Sequence, residues 1–168
     1  MKIHTTIFFL LIFSCSCEQS ASSKEESSTN NKIETPFHFD TTKNAILNYD
    51  SIHHRFNDSV KSATLSGDEI MCIDSLFFLA VTEHNASHGK GSQWNIDLKK
   101  NNYYRQLVAS INKEGEKSVY VICFCGFLVS DDWRKYVVGI RDGGSCVFYL
   151  KINLTRKKHD MVTTNGIA

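Results

Sequence analysis

A helix is predicted near the middle of the chain, because apolar residues recur there three or four positions apart and so share one helical face. These residues are Ile70, Ile73, Phe77 and Ala80. Ser66 and Glu69 have the spacing of a capping box, in which each side chain bonds the other residue's backbone amide. Residues 83–85 are expected to begin the exit from this helix, and the glycine-containing stretch 88–92 is expected to be a loop.

Beyond residue 102 the pattern changes to an alternation of apolar and polar positions, which is typical of strands. Residues 103–112 predict one strand, and residues 113–116 predict a hairpin turn after it. Residues 119–128 are apolar in both alternating sets of positions, which indicates a central strand covered on both faces.

The remaining residues predict three more strands, at 133–141, 146–154 and 159–164. Asp142-Gly143-Gly144 is a turn signal, because glycine accepts a positive φ at little cost. A three-residue hairpin loop at this turn would pair Cys146 with Ile140 and Phe148 with Val138, which keeps the apolar faces together.

These elements predict a single α+β domain over residues 36–168. Its plan is one main helix packed on a curled antiparallel meander of about four to five strands. Residues 37–49 would add an irregular strand or a short helix. The outline resembles cystatin-like or nuclear-transport-factor-like domains, a likeness of architecture that implies no activity.

The N-terminus has the pattern of a bacterial lipoprotein signal. Lys2 precedes an unbroken apolar run at residues 7–13, which is too short to span a bilayer. The run leads into Ile12-Phe13-Ser14-Cys15, which resembles a lipobox. The resemblance implies that residues 1–14 are removed and that Cys15 receives acyl chains such as palmitate. Cys17 is a poorer acceptor because Ser14 stands three residues before it, and an ordinary cleaved signal peptide is the alternative.

Residues 15–35 are expected to form the lipidated cysteine and a disordered tether, because residues 18–35 contain one large aliphatic residue, Ile33, and no aromatic one. The expected location is the cell envelope, anchored by lipid to the outer membrane. Glu18, Glu25 and Glu26 near the anchor resemble the start of surface-exported lipoproteins, and the periplasmic face is the alternative.

The overall charge gives no sign of a nucleic-acid partner. The chain of 168 residues has a net charge of +1, so no strong field selects polyanions. We expect no cofactor and no metal. The expected partners are the membrane, through the anchor, and an envelope protein, glycan or small ligand.

The cysteines of the body leave three interpretations open. Cys123 and Cys125 share one face of a predicted strand, and Cys146 lies on a later one. In an exported protein Cys125 and Cys146 are the preferred disulfide pair, if their strands are neighbours. Buried free thiols, or a thiol- or metal-binding site of all three, are the alternatives. Cys72 is expected to be a small core residue.

No pattern of catalytic residues stands out, so a non-enzymatic module is expected. No serine or histidine lies in a known nucleophile signature. His84 and His88 are expected to be exposed loop residues rather than metal ligands. Tyr103, Tyr104 and Trp94 could line a ligand groove or form edges of the core.

Residues 65–168 also contain a series of short segments whose order and spacing are similar to those of a family of small uncharacterised bacterial secreted proteins and lipoproteins. They include Ile96-Asp97-Leu98-Lys99, Cys123-Phe124-Cys125, Trp133-Arg134-Lys135, Asp142-Gly143-Gly144-Ser145-Cys146 and Asn165-Gly166-Ile167-Ala168. That family has no assigned activity, so the resemblance implies no catalytic residue. The expected function is a membrane-anchored binding or structural module of the envelope. The alternative is thiol or metal binding at Cys123, Cys125 and Cys146, and an inhibitor of hydrolases ranks last.

Overall fold

A computed structural model describes residues 39–49, 59–128 and 131–166. The chain divides between Thr35 and Pro36, and all of the described residues belong to the second unit, Pro36–Ala168. The predicted signal peptide (1–14), Cys15, Cys17 and the predicted tether therefore lie outside the described residues. Among the described helical segments, none is both long and apolar enough to cross a membrane.

Helix α1 spans Gly67–His88, and its predicted start is confirmed. The Glu69 amide donates to Ser66 Oγ, and the Ser66 amide donates to Glu69 Oε2 at 2.8 Å. The exit predicted at residues 83–85 is wrong, because the helix continues to His88 and is capped by Gly89, which has a φ of 75°. Asn85 stabilises this last part by donating to the Ile96 carbonyl and accepting from the Ile96 amide.

One helix on a sheet confirms the α+β class. Within the described residues the sheet is open and mixed, and it has seven strands: β1 (Asn44–Leu47), β2 (Ser59–Ser62), β3 (Tyr103–Asn112), β4 (Lys117–Cys125), β5 (Val147–Asn153), β6 (Lys158–His159) and β7 (Thr163–Thr164). The expected four to five strands and the purely antiparallel meander are wrong. Each edge position is divided between two short strands, since β1 and β2 both pair with β3 while β6 and β7 both pair with β5, and β1 runs parallel to β3.

The centre of the sheet follows the sequence pattern closely. β3 and β4 form the predicted hairpin around residues 113–116, where Gly115 has a φ of 80°. β4 pairs with β3 on one side and β5 on the other. Its residues are buried on both faces, as predicted, although the strand ends at Cys125 and residues 126–128 form a 3-10 turn.

Two apolar clusters cover the two faces of the sheet. The cluster beneath α1 is centred on Ile73, Phe77, Leu107, Val121, Phe148 and Leu150. The cluster on the opposite face is centred on Val108, Ile122, Phe124, Trp133, Val147 and Tyr149. Burial of this second face explains why β4 and β5 have so few polar positions, since both of their faces contact apolar groups.

The strand predicted at 133–141 is wrong, because residues 131–141 form turns and irregular chain over the second face of the sheet. Gln106 on β3, which is fully buried, holds this segment in place. Its side-chain amide donates to the carbonyl oxygens of Trp133 and Tyr136, and its Oε1 accepts from the Val138 amide. One side chain thus satisfies backbone groups that a strand would have paired in a ladder.

The hairpin pairing predicted at residues 142–144 is also wrong. Phe148 pairs with Cys123 on β4 and with Thr164 on β7, not with Val138. The pairing of Cys146 with Ile140 fails for the same reason, since the described residues 131–141 before the turn form no strand. The single strand predicted at 159–164 is two short strands, because the register against β5 shifts by one residue between them, as at a β-bulge.

Candidate functional site

A groove of about 400 Å³ lies between α1, the loop that follows it and the first residues of β1 and β3. This volume is in the range of small-molecule sites. The lining combines three kinds of side chain: apolar (Phe77, Phe78, Leu98, Tyr103), cationic (Lys43, Lys99, Lys100, Arg105) and acidic or amide (Asp40, Asp74, Asn44, Asn101, Asn102).

Arg105 forms the floor of the groove and connects three elements. Its Nη1 donates to Asp74 Oδ1 on α1 at 2.6 Å, and its Nε donates to Asn44 Oδ1 on β1 at 2.6 Å. The guanidinium carbon lies 5.1 Å from the centre of the Phe77 ring, within range of a cation–π contact. A half-buried cation is therefore held in a fixed position by a carboxylate, an amide and an aromatic ring.

A turn centred on Asp97 places two lysines at the rim. The amides of Lys99 and Lys100 donate to Asp97 Oδ1 at 3.0 and 2.9 Å, and the Asn101 amide donates to the Asp97 carbonyl oxygen. The two side-chain bonds lower the pKa of the Asp97 carboxyl, because they favour its charged form. The turn leaves both lysine side chains exposed beside the groove.

Tyr103 forms the end of the groove next to the sheet. Its hydroxyl donates to the Ser145 carbonyl oxygen at 2.9 Å and accepts from Asn101 Nδ2 at 3.2 Å. Burial raises the pKa of this phenol, so it is a neutral donor. Its ring packs edge-on against Phe148, with the ring centres 5.3 Å apart.

Of the three aromatic residues considered for a groove from the sequence, only Tyr103 lines this one. Tyr104 lies on the opposite face of the sheet, where it contacts Phe124 and Trp133. Trp94 lies in the loop after α1, and its carbonyl oxygen is 3.0 Å from His84 Nε2.

Arg105 was not predicted as a site residue from the sequence, although a signal was present. Arg105 is in phase with Leu107 and Ala109, which are both buried beneath α1. A cation at a position that alternation assigns to the core requires a nearby partner. That phase could have indicated a polar site under the helix, but it could not have identified Asp74 or Asn44 as the partners.

The four cysteines that the structure describes form one bonded pair and two free thiols. Cys125 and Cys146, the pair preferred from the sequence, are joined by a disulfide with their Cα atoms 5.1 Å apart. Cys123 is buried beneath α1, and burial raises the pKa of its thiol to about 12. Cys72 is partly exposed on α1, so its predicted core position is wrong.

His84 and His88 lie in the last turns of α1, so their assignment to a loop is wrong, although His88 is exposed as expected. His84 is buried, and the two ring centres are 4.3 Å apart. They line a second pocket of about 290 Å³ together with His159. Each bonds a carbonyl oxygen through one ring nitrogen, His84 to Trp94 and His88 to His84. Within the described residues, no group of three or more His, Cys, Asp or Glu side chains is placed to hold a metal ion.

No protein family, curated protein or solved structure matches this chain. The resemblance to small secreted proteins and lipoproteins therefore stays a prediction, as do the cystatin-like and nuclear-transport-factor-like outlines.

Proposed function

We propose that this chain is a lipid-anchored protein of the bacterial cell envelope whose folded unit binds a ligand without transforming it. The anchor is Cys15, and the membrane is the outer membrane, at its periplasmic face or at the cell surface. The ligand is an envelope protein, a glycan or a small molecule that the groove admits.

The observation that carries the binding role is the groove floored by Arg105. Its lining consists of cations, aromatic rings, amides, carboxylates and one leucine, and no serine, cysteine or histidine contributes to it among the described residues. Arg105 and Asp74 are already committed to each other, which supports a fixed recognition surface. A pre-formed groove with convergent polar groups is typical of ligand binding.

Replacement of Cys15 tests the anchor. Wild-type cells labelled with radioactive palmitate should give a labelled protein that partitions into detergent, because two or more acyl chains anchor stably. Cys15→Ala should lose the label and either stay as a precursor or be released. Cys17→Ala is the matched control and should behave as the wild type. If Cys15→Ala keeps the label, Cys15 is not the anchor.

Amide chemical shifts of the full chain test the binding role. The protein is titrated with separated protein, glycan and small-molecule fractions of the envelope. At least one fraction should shift the amides of residues 99–105, which border the groove, and leave those of the hairpin turn at 113–116 unchanged. The binding role fails if no fraction shifts the groove amides selectively.

A further inference from the structure

We propose that the groove binds an acidic saccharide, that is, a sugar chain that carries carboxylate groups. This inference rests on the proposed binding function and names the class of ligand. It follows from three properties of the lining: lysines that form no ion pair among the described residues, hydroxyl-binding groups and an exposed aromatic ring.

The cations indicate that the ligand is anionic. Lys43, Lys99 and Lys100 line the groove, and none of them forms an ion pair within the part of the chain that the structure describes. Together with Arg105 they outnumber the two carboxylates of the lining, Asp40 and Asp74, and they still outnumber the carboxylates when the neighbouring Asp97, which interacts with Lys99 and Lys100, is counted. The positive charge is thus in excess at the groove, and it favours a negatively charged ligand.

The acidic and amide groups indicate that the same ligand also carries hydroxyls. Asp40 and Asp74 would repel a simple carboxylate or phosphate that filled the groove, but a carboxylate has about four acceptor positions, so Asp74, which Arg105 bonds at Oδ1, can still accept from O–H groups. Asn101 and Asn102 offer both donors and acceptors beside them. An acidic sugar has both features, since its carboxylate can meet the rim lysines while its hydroxyls meet the Asp and Asn side chains.

The aromatic residue at the mouth fits the apolar face of a sugar ring. Phe78 lines the groove and is 56% exposed, whereas Phe77 beneath it is buried. An exposed ring offers a flat apolar surface on which the C–H face of a pyranose can lie. Phe78 thus supplies a contact that an inorganic anion would not use.

The backbone beside the groove disfavours a peptide that binds by adding a strand. Such a peptide needs unpaired N–H and C=O groups on an open strand edge. The strand residues that line the groove belong to the edge strand β1 and to β3, and Asn44 of β1 lies opposite Arg105 of β3. The Asn44 amide donates to the Asp40 carbonyl oxygen at 3.1 Å, so this N–H is not open to a further strand. The Arg105 amide donates to the Lys43 carbonyl oxygen at 2.8 Å. The floor consequently presents side chains to a ligand.

Calorimetric titration of the full chain in mild detergent tests the proposal with matched ligands. The probes are trisaccharides of galacturonic, glucuronic and mannuronic acid, each compared with its own methyl ester, which lacks the charge and keeps the ring. At least one acid should bind about ten-fold more tightly than its ester, or tighter still, because charge-assisted hydrogen bonds are lost in the ester. Citrate should bind more weakly than that acid, since it carries carboxylates without a sugar ring.

Two pairs of variants locate the binding. The double variant Lys99→Gln with Lys100→Gln should bind the best acid at least about ten-fold more weakly. The control, Lys90→Gln with Lys113→Gln, removes the same charge outside the groove and should have little effect on affinity. Phe78→Ala should weaken the binding of both the acid and its ester. Leu79→Ala is the control, because Leu79 is an exposed neighbour of Phe78 outside the lining. Circular dichroism checks that each variant is folded, and the single variant Lys99→Gln replaces any double variant that is not.

Each outcome decides between the two proposals. The acidic-saccharide assignment is wrong if acids and esters bind equally, or if no acid binds. It is also wrong if the groove variants and the control variants lose affinity equally. If an envelope fraction still shifts the amides of residues 99–105 in that case, the binding role stands and only the ligand class is wrong. If no fraction shifts them either, both proposals are wrong.

Discussion

Arg105 Nη1 and Asp74 Oδ1 are 2.6 Å apart, so an ion pair joins the central part of the sheet to α1 beneath the groove. The Arg105 side chain is 16% exposed and that of Asp74 is 33% exposed. The arginine lies in the same alternating set as Leu107, whose side chain is buried under the helix. The floor of the groove is therefore also part of the contact between helix and sheet, and ligand binding and stability depend on the same residues.

Asp74→Ala should lower the free energy of unfolding by about 1–3 kcal/mol, because it leaves a half-buried guanidinium without its carboxylate. Asp74→Asn keeps an acceptor for Nη1 and should lose less. Urea unfolding followed by circular dichroism measures both. The control is Asp132→Ala, which breaks an exposed pair with Lys135 and should change stability by no more than about 0.5 kcal/mol. Equal losses in Asp74→Ala and Asp132→Ala would show that the pair under the groove has no special structural role.

Gln106→Leu should destabilise the protein by about 2–4 kcal/mol although it preserves side-chain size. It removes the partners of the Trp133 and Tyr136 carbonyls and of the Val138 amide in a dry environment. Hydrogen exchange is the specific readout, since the Val138 amide should lose protection while the amides at the centre of β4 keep theirs. Gln93→Leu changes an exposed glutamine and is the control. Unchanged protection at Val138 would contradict the bridging role of Gln106.

Some elements could be predicted from the sequence because their determinants are local. The capping box of Ser66 and Glu69 and the turn at residues 113–116 depend on neighbours in the chain, and alternation identified the long strands. Gln106 shows where local reasoning fails. A polar residue in an alternating strand predicts a solvent-facing position, but here its partners are 27 to 32 residues away. The short edge strands could not be predicted either, because strands of two to four residues have too few positions to show an alternation of apolar and polar residues.

Reactivity of the cysteines distinguishes a structural disulfide between Cys125 and Cys146 from the alternative, a thiol- or metal-binding site. Native alkylation followed by mass spectrometry should label Cys72 and spare Cys123, because the thiolate is the reactive form and burial raises the pKa of Cys123 to about 12. Cys125 and Cys146 should react only after reduction. Rapid native labelling of Cys123, or stoichiometric metal in the purified full chain with Cys125 and Cys146 reactive, would instead favour a site formed by these three cysteines.

Removal of the disulfide should cost about 3 kcal/mol, the chain-entropy estimate for a loop closed between residues 21 positions apart. The variant is Cys125→Ser with Cys146→Ser, and Cys72→Ser is the control. Urea unfolding under non-reducing conditions measures the difference. The expected loss should also appear when wild-type protein is unfolded in the presence of a reductant, and a reductant that leaves wild-type stability unchanged would show that the bond is absent or unimportant.

The free energy of unfolding should depend on pH in the acid range, because the Glu69 carboxylate stabilises the start of α1. Burial pushes the pKa of Glu69 upward, but the hydrogen bonds and charge of Lys117 and the bonds from Ser66 outweigh it, so this pKa lies below the ordinary 4.5. Lys117 Nζ donates to Glu69 Oε1 at 2.6 Å and to Oε2 at 2.8 Å. A carboxyl with a lowered pKa in the folded state stabilises the protein above its unfolded pKa, and this stabilisation is lost as the pH falls through the folded pKa.

Glu69→Gln isolates the charge, because glutamine can still complete the capping box. At pH 7 it should lower the free energy of unfolding by about 0.5–1 kcal/mol, the range for partly exposed ion pairs. The difference from wild type should shrink as the pH falls below 4.5, where Glu69 becomes protonated in the unfolded and then in the folded chain. Lys117→Gln should give a similar loss at pH 7, and the double variant should lose less than the sum of the two single variants. A difference between Glu69→Gln and wild type that stays constant from pH 7 down to pH 3 would show that the charge of Glu69 does not stabilise this end of the helix.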